Sequence, residues 1–389
     1  MVQDFVLPGI AAIREEMIGL RRRIHAHPEL GLQEVATSEL VVECLSKWGY
    51  RVTRGVGKTG VVGTLKNGPG PSLGLRADMD ALPITETTGL PYASRNDGIM
   101  HACGHDGHTA TLLAAAKYLA ESRAFSGMLN LIFQPAEEGL GGAQKMMDDG
   151  LFERFPCDAV FALHNVPGYP AGHLGFFGGA FMASADTVTV RVVGRGGHGA
   201  APDKTIDPIV VCASIVTALQ SIVSRNVSPR DLAIISVGSI HAGIASNVIP
   251  PSAEMLLTVR ALAPEVRDLL ERRIHELVQG QAASFGAHAE IDYFRCHPVL
   301  INHGKETDFA RQVAVEWLGA QAIIDDLKPF TASEDFACML EKCPGSYLVI
   351  GNGDGERSCA LHNPGYDFND DCLAVGASYW VKLTERFLA

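Results

Sequence analysis

The pattern that most narrows the possible folds is a set of apolar, strand-length runs, each ending in a polar tail. SLGLRA (72–77) leads into Asp78 and Asp80, MLNLIF (128–133) into QPAEEG, and AVFAL (159–163) into His164. VVGTL (61–65) is a further strand-like run. Helical patterns stand around them. Ile13, Met17, Leu20 and Ile24 share one helix face until Pro28 stops it, and a second helix is expected from Ser38 to Trp48 with Gly49 past its end. A third, ATLLAAAKYLA, follows MHACGHDGHTA (100–110). Strands alternating with helices predict an α/β domain with a largely parallel sheet. In such sheets ligands bind beyond the carboxyl ends of the strands, so the polar tails are expected to share a crevice.

The texture changes near Ser184. TVTVRVV (187–193) alternates as a strand, 207–225 reads as a buried helix, and LAIISVGSI (232–240) and EMLLTVRAL (254–262) read as strands. A helix from Glu265 to Phe285 and a strand AEIDYF (289–294) complete a β-α-β-β-α-β order, the ferredoxin-like pattern. After Pro298 the α/β texture returns, with a helix over Thr307–Leu318, a strand SYLVI (346–350) and a last helix from about Cys372. The expected architecture is an α/β domain (1–183 and 298–389) interrupted by a ferredoxin-like insertion (184–297).

With 389 residues, 47% apolar and 20% charged, the chain has ordinary globular composition and is too long for one comfortable core. A net charge of −12 without a basic stripe argues against a nucleic-acid partner. The first residues do not read as a signal peptide, and no run is expected to span a membrane; PIVVCASIVTALQSIV is interrupted by Ser214, Thr217, Gln220 and Ser221. Nine cysteines without a C-x-x-C pair point to a reducing cytoplasm.

MHACGHDGHTA places three histidines, a cysteine and an aspartate at the mouth of a helix. Singly, each candidate has a plainer role. His164 reads as a hydrogen-bonded histidine, Glu137–Glu138 as a solvated turn and Cys103 as a small buried hydrophobe. Together in one dry crevice they would be electrostatically costly without a cation. Thiol, imidazole and carboxylate suit zinc, and also manganese, nickel or cobalt. Glu137 and Glu138, being adjacent, point to opposite sides of an extended segment, so one can hold metal while the other moves a proton. His362, in LHNPGYDFND, is a further candidate.

HACGHDGHTA, QPAEEG, ALHN, GRGGHGAAPD, NVIP, SEDFA and LHNPGYDFND occur in that order. They resemble the metal-dependent aminoacylase/carboxypeptidase family, in the branch of hippurate hydrolase and the indole-acetyl-amino-acid hydrolases, from about Arg21 to the last helix. The resemblance implies a catalytic α/β domain, a ferredoxin-like lid and dimerisation domain, and two divalent ions per subunit. Cys103 matches the bridging ligand, His105, Glu138, His164 and His362 the other ligands, and Glu137 the general base. His198 matches a lid histidine that steadies the oxyanion in the other subunit's site. Asn247 and Arg260 match lid positions that hold the substrate carboxylate. His101, His108, Asp106 and Asp335 are expected to support the ligands. The broader family has a ligand histidine where this chain reads Asp78-Met79-Asp80, and a bridging aspartate where it has Cys103. The hippurate-hydrolase branch shares both changes; Asp80 is expected beside the ligands as a support, and the exact roles of Asp78 and Asp80 stay open. Pro251 after NVIP and Leu257-Thr258 before the arginine step also depart from the family pattern. His25, His27, His241, His275, His288, His297 and His303 read as structural or exposed.

The activity so implied is hydrolysis of N-acyl amino acids by a homodimer or larger homo-oligomer. The alternatives are a carboxypeptidase or dipeptidase on the same fold, an amidase using Cys103 as nucleophile with His105 or His108 as its base, and a metal-binding protein without turnover.

Overall fold

The computed structural model describes residues 6–355 and 359–389. The chain forms two compact units. The larger comprises Met1–Gly179, Ile301–Lys328 and Asp335–Ala389, and the smaller Ala180–Leu300 and Pro329–Glu334. The last six residues were expected with the α/β domain. They join the smaller unit through backbone bonds, Ala183 donating to the carbonyls of Phe330 (3.2 Å) and Ala332 (2.9 Å).

The larger unit is built on an eight-stranded sheet. Its strands are β1 (Arg51–Val56), β2 (Gly60–Asn67), β3 (Ser72–Asp78), β4 (Gly127–Gln134), β5 (Ala159–Val166), β6 (Leu174–Gly175), β7 (Ile323–Ile324) and β8 (Gly345–Gly351), in the order β1-β2-β4-β3-β5-β8-β6-β7. The central four, β4-β3-β5-β8, are parallel, but β1–β2, β2–β4 and β8–β6 pair antiparallel. The sheet is therefore mixed rather than largely parallel. A three-residue turn joins β1 to β2, and so short a connection permits only antiparallel neighbours. Strand β1, RVTRGV, lies at the sheet edge with only Val56 buried, so it lacks the apolar run that marks its neighbours. The central strands are buried on both faces, as parallel strands under helices must be.

The larger unit's long helices are α1 (Pro8–His25), α2 (Val35–Lys47), α3 (His105–Ser122), α4 (Gly304–Leu318) and α5 (Asp370–Phe387). Helix α3 packs against α1, α5 and β3. Every residue from His105 to Ala116 is buried, so its alanine-rich sequence marks a helix enclosed on all sides. Gly107 is required there, because a Cβ would lie 2.3 Å from the Phe368 ring. Helix α5 is capped by Asn369, whose side chain accepts from Asp371 N, with Asp370 and Asp371 in the first turn and Arg386 in the last.

The smaller unit has a four-stranded antiparallel sheet in the order Ala233–Ala242, Ser252–Ala261, Ala185–Val193, His288–His297. Val188, Val190, Val192, Met255, Leu257 and Val259 alternate inward and form a core with the helices Pro208–Asn226 and Pro264–Ser284. Helix Pro208–Asn226 differs from expectation in two ways. Only one face is buried (Val211, Cys212, Ile215, Leu219, Ile222), while Ile209 and Val210 are 44% and 51% exposed. Its 19 residues, with a mean hydropathy of 1.5, also meet the length and composition of a membrane span despite the polar residues. Those polar side chains are absorbed by the helix backbone: the hydroxyls of Thr217 and Ser221 bond the carbonyls of Ala213 and Ala218.

Candidate metal centre and catalytic base

The candidate residues of the larger unit converge at the carboxyl ends of β4, β3 and β5. Asp78 closes β3, Glu137 and Glu138 follow β4, and His164 lies inside β5 rather than beyond it. Cys103 and His105 come from the turn into α3. Gly104 makes this turn in the left-handed region (φ +90°), and a Cβ there would lie 2.3 Å from Asn165 Oδ1. Gly104→Ala is therefore expected to cost about 2 kcal/mol or more in unfolding free energy, readable by denaturant titration. Two other strained backbones serve the site. Ala136 (φ +52°) precedes Glu137, with its N–H held by Glu34 Oε1 at 2.8 Å, and His362 (φ +64°) donates its N–H to the Ala102 carbonyl at 2.8 Å.

Cys103, His105 and Glu138 each offer a donor atom, all within 4.8 Å of one another. Cys103 Sγ lies 3.5 Å from His164 Nε2, and Glu138 Oε1 lies 3.1 Å from His362 Nε2. These contacts bring together all five side chains expected as ligands. Glu138 turns toward Cys103 and His105, whereas a carboxylate oxygen of Glu137 lies within 4.8 Å of one from Asp335.

The ring orientations are set from behind. Asp80 Oδ1 takes His105 Nδ1 at 3.2 Å, and its Oδ2 accepts the Glu138 N–H at 2.9 Å. That leaves His105 Nε2 buried without a hydrogen bond. His164 Nδ1 donates to the Asn165 carbonyl at 2.7 Å, which leaves Nε2 facing Cys103. A carboxylate or carbonyl behind an imidazole, with the other nitrogen free, is how a ligand histidine is oriented. Asp80, expected as a support, thus contacts both His105 and the Glu138 peptide.

A second cluster of Asp78, His105, His108 and His164 is equally compact. There, however, His108 is already engaged on both nitrogens, by Asp78 Oδ1 and Asn165 Oδ1, each at 2.6 Å. Asp78 Oδ2 also accepts from Arg76 at 2.7 Å. The set with open donor atoms is the one containing the thiol.

The electrostatics fit a cation. Burial and the adjacent His108 push His164 well below the ordinary histidine range, so it is neutral. For His105, burial works in the same direction, but Asp78 and Cys103 outweigh it and raise the ring well above that range. Cys103 and Glu138 push His362 up to about 10. Protons drawn onto such rings mark the places a metal ion takes when it displaces them. Burial, then Glu138, raises the Cys103 thiol and outweighs the opposing pull of His105 and His362, which disfavours it as a free nucleophile.

Asp106 does not touch the ligand atoms. It faces α1, accepting from Arg21 Nε at 2.7 Å and meeting His25 Nδ1 at 2.9 Å. Its expected support of the site is therefore indirect, through the seating of α3. His25, expected to be structural or exposed, is fully buried, and its other nitrogen meets Glu86 at 3.3 Å. His101 is also buried, and burial lowers it to about 4. Burial opposes protonation of His25 as well, but Asp106 and Glu86 raise it to about 9. A raised histidine stabilises the fold fully below its unfolded value of about 6.5, and that contribution fades as pH rises through about 9. Unfolding free energy should fall by on the order of 3 kcal/mol between pH 6.5 and 9.5, and His25→Gln should flatten that slope.

His198, Asn247 and Arg260 belong to the smaller unit. His198 is exposed on a short strand paired with Val248, and its Nδ1 accepts the Ala200 N–H at 3.0 Å. Exposed Asn247 gives its carbonyl to Gly199 N at 2.8 Å. Half-buried Arg260 donates to the Ser333 hydroxyl at 2.8 Å. Arg76, Gln134, Asn165, Tyr366 and Glu34 also stand behind the site, and the sequence marks none of them as a candidate. The only signal was a polar residue inside or just after an apolar run, as with Arg76 in SLGLRA.

Residues 74–386 match the model of peptidase family M20/M25/M40. A hippurate hydrolase of Campylobacter jejuni is 47% identical over 98% of this chain and 99% of its own length. An N-acetyl-L-cysteine deacetylase of Bacillus subtilis is 40% identical over 96% of this chain and 88% of its own. The crystal structure of the Bacillus subtilis YXEP protein, described as a dinuclear metal-binding peptidase, aligns with a TM-score of 0.84 and 34% identity, covering 97% of this chain and 99% of that one. The chain belongs to peptidase family M20/M25/M40. It is a metal-dependent amidohydrolase.

Proposed function

We propose that the chain hydrolyses the amide bond of N-acyl amino acids of the hippurate type, releasing a carboxylic acid and a free amino acid. The observation that carries this reading is the convergence of buried Cys103 and His105 with half-buried Glu138, while a second acid, buried Glu137, lies within 4.8 Å of Asp335. Cys103, His105, Glu138, His164 and His362 would hold two divalent cations, with zinc, manganese, nickel and cobalt all suited to this donor set. Such cations supply Lewis acidity, lowering the pKa of a water molecule and polarising the acyl carbonyl. Glu137 takes the proton of the attacking water and passes it to the amine nitrogen as the C–N bond breaks. His198 is assigned to the oxyanion, and Asn247 and Arg260 to the substrate carboxylate, by family resemblance.

The smaller unit's β-α-β-β-α-β order supports reading it as a ferredoxin-like lid and dimerisation domain. Exposed Ile209, Val210, Ile240, Leu256 and Phe294 on that unit support a homodimer or larger homo-oligomer. All nine cysteines are free thiols, which supports a cytoplasmic setting.

The test is hydrolysis of hippurate and N-acetyl amino acids, with elemental analysis, before and after chelation. About two metal ions per chain, with activity lost on chelation and regained on metal addition, is the expected result. Activity in metal-free protein would return the case to Cys103 as nucleophile. A peptidase reading has the YXEP description in its favour; dipeptides cleaved faster than N-acyl amino acids would establish it.

A further inference from the structure

Backbone pairing between β3 and β5 stops at Arg76 and Ala162, while β3 and β4 stay paired to Asp78 and Gln134. Where the β3–β5 ladder ends, side chains bridge the strands. His108 stands between Asp78 Oδ1 and Asn165 Oδ1, 2.6 Å from each. On the other side of Asp78, Arg76 Nη1 donates to Oδ2 at 2.7 Å and Arg76 Nε donates to Gln134 Oε1 at 2.8 Å. Gln134 Nε2 then donates to Asp335 Oδ1 at 2.6 Å, and Asp335 Oδ2 accepts the Ala143 N–H at 2.8 Å. At the far end Asn165 Nδ2 donates to the Tyr366 hydroxyl. All seven side chains are buried.

One end of this chain is Asp335, beside Glu137. The other end is Asn165, next in sequence to His164, and Tyr366, four residues beyond His362. Asn165 Oδ1 is also the atom that a Cβ on Gly104, between Cys103 and His105, would strike. Charge-assisted bonds in a buried network are short and stiff, so the chain can transmit a fixed spacing across three strands.

We propose that Asp335–Gln134–Arg76–Asp78–His108–Asn165–Tyr366 is a positioning device with two separable ends. The Gln134 end aims Glu137 through Asp335. The Asn165 end sets the spacing of His164 and the Cys103–His105 turn for metal. Arg76 joins the two. The proposal rests on the hydrolytic reading above, and the test separates the two ideas.

Gln134→Met and Asn165→Leu break opposite ends, and Arg76→Lys keeps the charge but loses the two-pronged geometry. For each, the zinc dissociation constant is measured by competition with a chromophoric chelator, alongside kcat and KM for hippurate and the melting temperature. Gln134→Met is expected to lower kcat by about 10–100-fold, with KM and zinc affinity within about twofold of wild type. Asn165→Leu is expected to weaken zinc by about 10–100-fold, with kcat largely restored at saturating zinc. Arg76→Lys should show both effects in part. The proposal is overturned if both end variants lose zinc affinity and kcat in equal proportion, or if the losses follow the melting temperature. A wild type that binds zinc but cleaves no N-acyl amino acid overturns the hydrolytic reading. In that case unchanged zinc affinity in Asn165→Leu overturns this proposal as well, and weakened affinity there with none in Gln134→Met supports it.

Discussion

Glu137→Gln is expected to lower kcat by about 10²–10⁴-fold while metal content stays at the wild-type level, because a positioned general acid–base contributes about that much. The two glutamates are neighbours in sequence but have different surroundings. A carboxylate oxygen of Glu138 lies within 4.8 Å of donor atoms on Cys103 and His105, whereas one of Glu137, only 7% exposed, lies within 4.8 Å of Asp335. Glutamine keeps the size and hydrogen bonding of the side chain but cannot accept the proton of the attacking water. KM should change little, since the lost interaction belongs to the transition state. Steady-state kinetics beside elemental analysis checks this. Activity within tenfold of wild type, with metal bound, would remove Glu137 from the base role.

Cys103→Ala is expected to give the second large effect, a loss of bound metal. The thiol stands 3.5 Å from His164 Nε2 and within 4.8 Å of donor atoms on His105 and Glu138, so its loss removes a donor that faces three of the other candidate ligands. Asp80→Asn is the comparison. It weakens the support of His105 and of the Glu138 peptide without removing a donor, and such outer changes cost about 10–100-fold in metal affinity. Cys103→Ala should exceed that range and should not be rescued by excess metal, whereas Asp80→Asn should be. Metal titration of both proteins decides the matter. If Cys103→Ala bound metal like wild type but lost all activity, the thiol would be acting as a nucleophile.

Most elements were legible because their signals are local. The runs around β3, β4, β5 and β8, and the helical periodicities of α1 and α3, announce themselves in windows of six to eighteen residues. What escaped was edge or non-local. Strand β1 has few apolar residues, the antiparallel sheet margins depend on which strands become neighbours, and 329–334 joins the smaller unit through bonds to Ala183. Helix Pro208–Asn226 reads as buried from its sequence, but apolarity alone does not say how many of its faces have partners.

The candidate site divides the same way. The sequence by itself determined which residue types were available and that they follow strands whose ends must gather in an α/β sheet, since side-chain chemistry and period are properties of short segments. It also determined that a cysteine, histidines and paired acids crowd two short motifs, and that crowding already called for a cation. Only the tertiary structure decided which nitrogen of each imidazole stays open, that Asp80 orients His105, that Asp106 turns away to Arg21, and that His108 is taken up by Asp78 and Asn165. Those outcomes rest on hydrogen bonds between residues 25 to 85 positions apart, and the geometry of such bonds exists only once the strands and α3 are packed together.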